Sequence, residues 1–200
     1  MTTRIHSFLL AGVEAVPVVV ECDILRRLPC TVIVGMSAPL VREAAERVRA
    51  AIEAAGFTYP RARVVLSVSP ADLRPGPSLD LALAVAVLVA SGQVQADLSA
   101  AYVGELALDG SVRDVRGGVL CGRTLAGVAD RLLVASHAVA TDAVTVGARA
   151  ASVGSLVDVP RPVEIRTPWH PDIAHPLPRA VAAGRGDPAA RPLRLAAAPP

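Results

Sequence analysis

The hydrophobic pattern is sharpest between Arg61 and Val94. Arg63 to Val68 is a short β-branched run that reads as a strand, and Ser69 to Ser78 is rich in turn-forming residues. Leu79 to about Ser91 is then almost wholly apolar. A helix with no polar stripe must lie under a sheet or between layers. Its N-terminus, where backbone N–H groups lack intrahelical partners, carries Ser78 and Asp80.

Upstream, residues 5 to 23 alternate loosely and are rich in valine, which predicts two short strands meeting at a turn near Gly12 to Ala15. The consecutive valines Val18 to Val20 suit a strand buried on both faces. Leu25 to Pro29 reads as a turn and Thr31 to Val34 as a further strand. Ser37 then opens a helix, with Pro39 in its first turn and Gly56 as its stop. Leu40, Val41, Ala44, Ala45, Val48, Ala51, Ile52 and Ala55 form its apolar stripe. Arg42, Glu43, Glu46, Arg47, Arg49 and Glu53 fall on the other side, with Glu43–Arg47 and Arg49–Glu53 at i,i+4 spacing. That charged face reads as solvated; the alternative is a subunit contact or a phosphate-tracking face.

Downstream, Tyr102 to Leu106 reads as a strand, and Asp109-Gly110 between apolar runs predicts a hairpin returning through Val112 to Val115. A helix over about Val119 to Ala126, a strand at Arg131 to Ala135, a helix at Ala138 to Val146 and a strand at Ala150 to Val153 complete the pattern. The alternation predicts an α/β (α+β) domain over residues 1–160, a mixed β-sheet packed with helices. Residues 161–200 hold more than half of the chain's 17 prolines, carry no hydrophobic period, and predict a disordered tail. Trp169, the only tryptophan, lies there.

Composition narrows the possible chemistry. With 52% hydrophobic residues, the 200-residue chain can bury a substantial core. Its longest apolar run is too short to span a bilayer. Glu14 and Glu21 interrupt the N-terminal region in a way unlike a signal peptide, so a cytoplasmic location is expected and no membrane partner. The three cysteines lack metal or disulfide spacing. A net charge of +2 and 2% aromatic residues argue against direct nucleic-acid binding by this domain. All 20 cationic residues are arginines. Without lysine there can be no Walker A motif in this chain, and Ser78 has no lysine partner.

Ser78 and Asp80 are therefore the candidate catalytic residues, and neither carries a complete constellation. Ser78 reads better as a helix cap than as a nucleophile, and Asp80 better as a partner of first-turn N–H groups than as half of a carboxylate pair with Asp72. Glu105 reads as a hydrogen-bond acceptor at a strand end. None of His6, His137, His170 and His175 is placed beside Ser78 by its sequence context. The expectation is no metal and no cofactor.

Val34 to Phe57, VGMSAPLVREAAERVRAAIEAAGF, resembles the first long helix of the YifB/ComM group of magnesium-chelatase-like AAA+ ATPases. SPADL (Ser69 to Leu73), DLALA (Asp80 to Ala84), GELALDG (Gly104 to Gly110) and RDVRGGVL (Arg113 to Leu120) continue the resemblance in order. It covers about residues 5 to 160, the group's N-terminal domain, and implies the fold shared by the Lon proteolytic domain and a ribosomal small-subunit protein domain. The Lon-type domain pairs a serine in a GPS context with a lysine a few residues after a glycine pair. Gly76-Pro77-Ser78 matches the first half, whereas the second half falls near Gly122 and Arg123. Arginine stays protonated and cannot act as the base. Two of the group's usual prolines are replaced, by Ala82 and Cys121.

The resemblance implies an N-terminal assembly or regulatory domain without catalysis of its own. Its expected partners are a AAA+ ATPase module, which carries the Walker motifs in full-length relatives, or other copies of the chain. The alternatives are a serine hydrolase using Ser78 and a truncated, non-functional gene remnant.

Overall fold

A computed structural model describes residues 2–71 and 76–165 of the chain. The expected disordered tail, Trp169, Asp72, His170 and His175 lie outside the described residues, apart from the first few positions of the tail.

The chain opens with a long hairpin, β1 (Thr3–Ala11) and β2 (Glu14–Leu25), turning at Gly12 with φ +62°. The two strands pair antiparallel from Thr3↔Cys22 to Ala11↔Glu14. Pro17 sits within β2, opposite Phe8. On its other side β2 meets β4 (Arg63–Ser69) only from Val19 onward, so the missing N–H of Pro17 lies beyond the reach of that ladder. β3 (Cys30–Val34) runs parallel to β4 at the sheet edge. Val18 and Val20 are fully buried while Val19 is half-covered, so the second face of β2 is less enclosed than its three valines suggest.

The other half of the sheet extends from β1. β5 (Ala100–Val103), β8 (Arg131–Val134) and β9 (Ala150–Ser152) add in parallel, and β10 (Val163–Glu164) pairs antiparallel with β9. The eight-stranded order is β10-β9-β8-β5-β1-β2-β4-β3. The fold is thus the expected mixed α/β (α+β) sheet packed with helices. One expected strand is divided: Tyr102 to Leu106 breaks at Gly104. Glu105–Leu106 (β6) leaves to pair with Val112–Arg113 (β7) as a separate hairpin across Asp109 and Gly110.

Strand alternation gives the sheet two apolar faces. Ile5 and Leu9 of β1, with Ala100 and Tyr102 of β5, join a layer that includes α1 (Ala38–Ala54) and α2 (Asp80–Ala90). Phe8, Ala101 and Val103 point the other way, toward α3 (Gly118–Thr124) and α4 (His137–Thr145). α2 lies between the strands and α1. Leu81 through Leu88 are completely buried, as an all-apolar helix requires. α1 presents Ala44, Val48, Ala51 and Ile52 inward and stops at Ala55, followed by Gly56 at φ +84°.

Candidate functional site

The start of α2 is fastened to the point where β5 ends. Ser78 lies in a 3-10 turn, Pro77–Leu79, that leads directly into the helix. The Gly104 N–H donates to the Ser78 carbonyl at 3.0 Å, and the Leu81 N–H donates to the Gly104 carbonyl at 3.0 Å. A Cβ at position 104 would stand 2.5 Å from Cγ1 of Val112, so only glycine lets the hairpin fold this close. The glycine opening the GEL motif is thus explained by the close packing of the Val112 and Leu81 side chains against it.

Ser78 is nearly buried but does not act as the expected cap. The residue at the cap position of α2 is Leu79, and no side chain caps the 3-10 turn or the helix. The helix instead begins as a continuation of the 3-10 turn, which supplies helical backbone ahead of Asp80.

Asp80 is also bonded differently from expectation. Its carboxylate, 1% exposed, receives Nε of Arg47 on Oδ2 at 2.8 Å and a second guanidinium nitrogen on Oδ1 at 3.2 Å. The Leu106 backbone N–H also favours its charged form. Arg47 therefore leaves the solvated helix face on which its spacing placed it. It retains only a 3.9 Å approach to Glu43 and reaches across from α1 to α2. Burial pushes the Asp80 carboxyl above its ordinary value, against the lowering by Arg47 and by the Leu106 N–H. The Asp80 hydrogen bond is the largest influence raising Arg47, which stays charged. Nearby, Glu105 and Arg113 face each other across the β6–β7 hairpin at 3.9 Å, so Glu105 meets a cation rather than the expected hydrogen-bond donor.

No base is brought to Ser78 among the described residues that sequence reasoning considered. His6 alternates with Ile5 and Ser7 on β1 and so shares the Phe8 side of the sheet, opposite α2. His137 begins α4, and Arg123, at the position matching the Lon-type lysine, lies in α3; both helices pack in that opposite layer. No cluster of three or more metal-ligating side chains occurs among the described residues. No described helix is long and apolar enough to cross a membrane.

Sequence reasoning missed the role of Arg47, because its i,i+4 partner made the helix face look complete. It also missed a cleft of about 430 Å³ between α1, β3 and the segment around Tyr59. No motif marks that cleft, since its lining comes from three separated stretches.

Comparison with known proteins follows the same region. The family model described as subunit ChlI of Mg-chelatase matches residues 20–135, from β2 past β8, and includes Arg47, Ser78, Asp80 and Gly104. The chain is 41% identical over 118 residues to the protein YifB of Escherichia coli K12, covering 58% of this chain and 23% of that protein. Competence protein ComM of Haemophilus influenzae is 37% identical over 116 residues, covering 56% of this chain and 23% of its own length. Rv2897c of Mycobacterium tuberculosis is 39% identical over 117 residues, covering 57% and 23%. The matched region spans less than a quarter of each relative. A matched model over more than half of the chain and the YifB and ComM similarity agree: the chain belongs to the family of subunit ChlI of Mg-chelatase.

Proposed function

We propose that this domain is a non-catalytic assembly or regulatory module of a ComM/YifB-type protein. It works beside a AAA+ ATPase module or against further copies of itself, and the motor work belongs to the ATPase module. The resemblance to the ComM members, whose full-length chains are AAA+ ATPases linked to DNA branch migration in natural transformation, sets the domain in that process. The observation that carries the reading is the state of the protease-like corner. Ser78 has its carbonyl committed to Gly104, and Asp80 is locked onto Arg47. The described histidines, His6 and His137, lie in the opposite layer. A hydrolase would need a base within hydrogen-bond reach of the serine hydroxyl.

Two measurements test this. A fluorophosphonate probe is expected to leave the chain unlabelled; labelling that disappears in Ser78→Ala would establish the hydrolase instead. Sedimentation of the purified chain across a wide concentration range is expected to show reversible self-association. A strict monomer throughout would remove assembly through copies of the chain.

A further inference from the structure

The cleft beside α1 combines three features that point to the same class of ligand. The first is charge. Arg42 and Arg49 from α1 and Arg61 from the loop before β4 line it, against a single acid, Glu46. Arg49 is partly engaged, by Glu53 at 3.2 Å and by lying 5.6 Å from the Tyr59 ring centre. Arg42 and Arg61 are exposed and belong to none of the ion pairs among the described residues. The second feature is an apolar wall, made by the half-buried Val41 and Ala45 with the buried Tyr59 ring. The Tyr59 hydroxyl is already occupied by Thr31 Oγ1 at 2.9 Å, so the wall is set in place before any ligand arrives. The third is β3, which supplies Cys30 and Thr31 to the lining and is the last strand of the sheet. β3 pairs only with β4, so alternate N–H and C=O groups along its other side face away from the sheet.

The geometry points to a docking site for an extended, acidic segment of another protein chain. The segment adds to the β3 edge through its backbone and places carboxylates against Arg42 and Arg61. Backbone pairing supplies affinity and the arginines select the sequence, as in other strand-addition sites. The tail of this chain is not the occupant: residues 166–200 hold five arginines and two aspartates, the same sign as the cleft. Single-stranded nucleic acid fits less well, because the one aromatic ring in the lining is held by Thr31 and Arg49, leaving no stacking platform. This deepens the assembly reading by naming what the α1 side of the domain takes.

Cys30 provides a built-in reporter, being the exposed cysteine while Cys22 and Cys121 are buried. The probe is a fluorescein-labelled peptide of alternating aspartate and valine, six residues long by design to match about one strand. It is added to the full chain while Cys30 is titrated with the neutral thiol reagent dithiodipyridine. The acidic peptide is expected to bind, to slow the Cys30 reaction, and to lose about tenfold or more in affinity in Arg42→Glu/Arg61→Glu. The charge-matched variant Arg116→Glu/Arg123→Glu, changed at exposed arginines elsewhere, is expected to bind like wild type. A peptide N-methylated at alternate residues is expected to bind weakly whatever the folding of any variant. Equal binding by a lysine-for-aspartate peptide, no effect of N-methylation, or equal losses in the two double variants would overturn the proposal. So would protection of Cys30 by oligothymidylate but not by the peptide, or by self-association alone. Because the readout is peptide binding, it can succeed when sedimentation shows a monomer, and fail when the fluorophosphonate result stands.

Discussion

Asp80 and Arg47, 33 residues apart, meet in a two-pronged ion pair that joins the first turn of α2 to the middle of α1. The carboxylate is buried and the guanidinium is 28% exposed, so the aspartate depends on the arginine far more than the reverse. Removing Arg47 leaves a buried charge without its two hydrogen bonds. Arg47→Met is expected to lower unfolding stability by about 3 kcal/mol in urea titration. Adding Asp80→Asn to that variant is expected to recover part of the loss. A single variant as stable as wild type would show that the pair holds nothing together.

Two aspartates should leave opposite marks on the pH dependence of stability. Burial raises the Asp80 carboxyl above the ordinary 3.8 despite Arg47, so the folded chain holds that proton more tightly than the unfolded chain. Its contribution is full below 3.8 and is lost as pH rises through the raised value. At Asp97, burial also pushes upward, but the Ser99 hydroxyl and N–H, together with Arg131, outweigh it and the net shift is downward. That contribution is present above 3.8 and is lost as pH falls through the lowered value. Urea midpoints between about pH 3 and 6 are expected to fall less steeply with rising pH in Asp80→Asn than in wild type. In Asp97→Asn they are expected to fall less steeply with acidification. Slopes of the same sign change in both variants would contradict this account.

Two glycines separate by what stands in the way. A Cβ at Gly118 would collide with the backbone carbonyl of Val139 where α3 crosses α4, and a carbonyl in a helix cannot step aside. A Cβ at Gly104 meets a Val112 methyl instead. Gly118→Ala is expected to cost about 3 kcal/mol and Gly104→Ala about 1–2 kcal/mol by thermal or urea unfolding. Val112→Ala is expected to relieve the second crowding, so that the Gly104→Ala/Val112→Ala pair loses less than the two single losses together. Strict additivity would mean that Val112 is not the obstacle.

The three cysteines should differ sharply in reactivity. Burial, and then Asp23, pushes the Cys22 thiol up to about 12, and burial pushes Cys121 up to about 11. Thiolate is the reacting form, and both sulfurs are also out of reach. Folded chain is expected to release one fast equivalent with dithiodipyridine, from Cys30, and three in denaturant. A fast phase surviving in Cys30→Ser would place the reactive thiol elsewhere.

What could be read from the sequence was local. The α1 stripe, its proline start and glycine stop, the β4-to-α2 segment and the Asp109-Gly110 turn are carried by neighbouring residues, and all are present. The misreadings involve distant partners. Arg47 looked complete because Glu43 stands one turn before it, while its real partner arrives from α2. Ser78 looked like a cap because it precedes a helix; a 3-10 turn already provides the first backbone there. Gly104 looked like part of one strand, and its role depends on Val112 and Leu81 packing against it. The cleft was invisible for the same reason, since Cys30, Arg42 and Arg61 have no common local pattern.

The place of β1 in the sheet has a consequence for synthesis. It is bordered by β2 on one side and by β5 on the other, and the buried Ser7 hydroxyl donates to the Tyr102 carbonyl at 2.6 Å. A ribosome that has released the first 70 residues has supplied β1 to β4, yet the flank of β1 that takes β5 waits for residues 100–103. Until then β1, carrying Ile5, Phe8 and Leu9, is the open edge of a four-stranded sheet, the kind of edge to which nascent chains adhere. The apolar α2, made in the interval, is the element available to cover that half-built surface, so order of emergence and order of burial coincide along this chain.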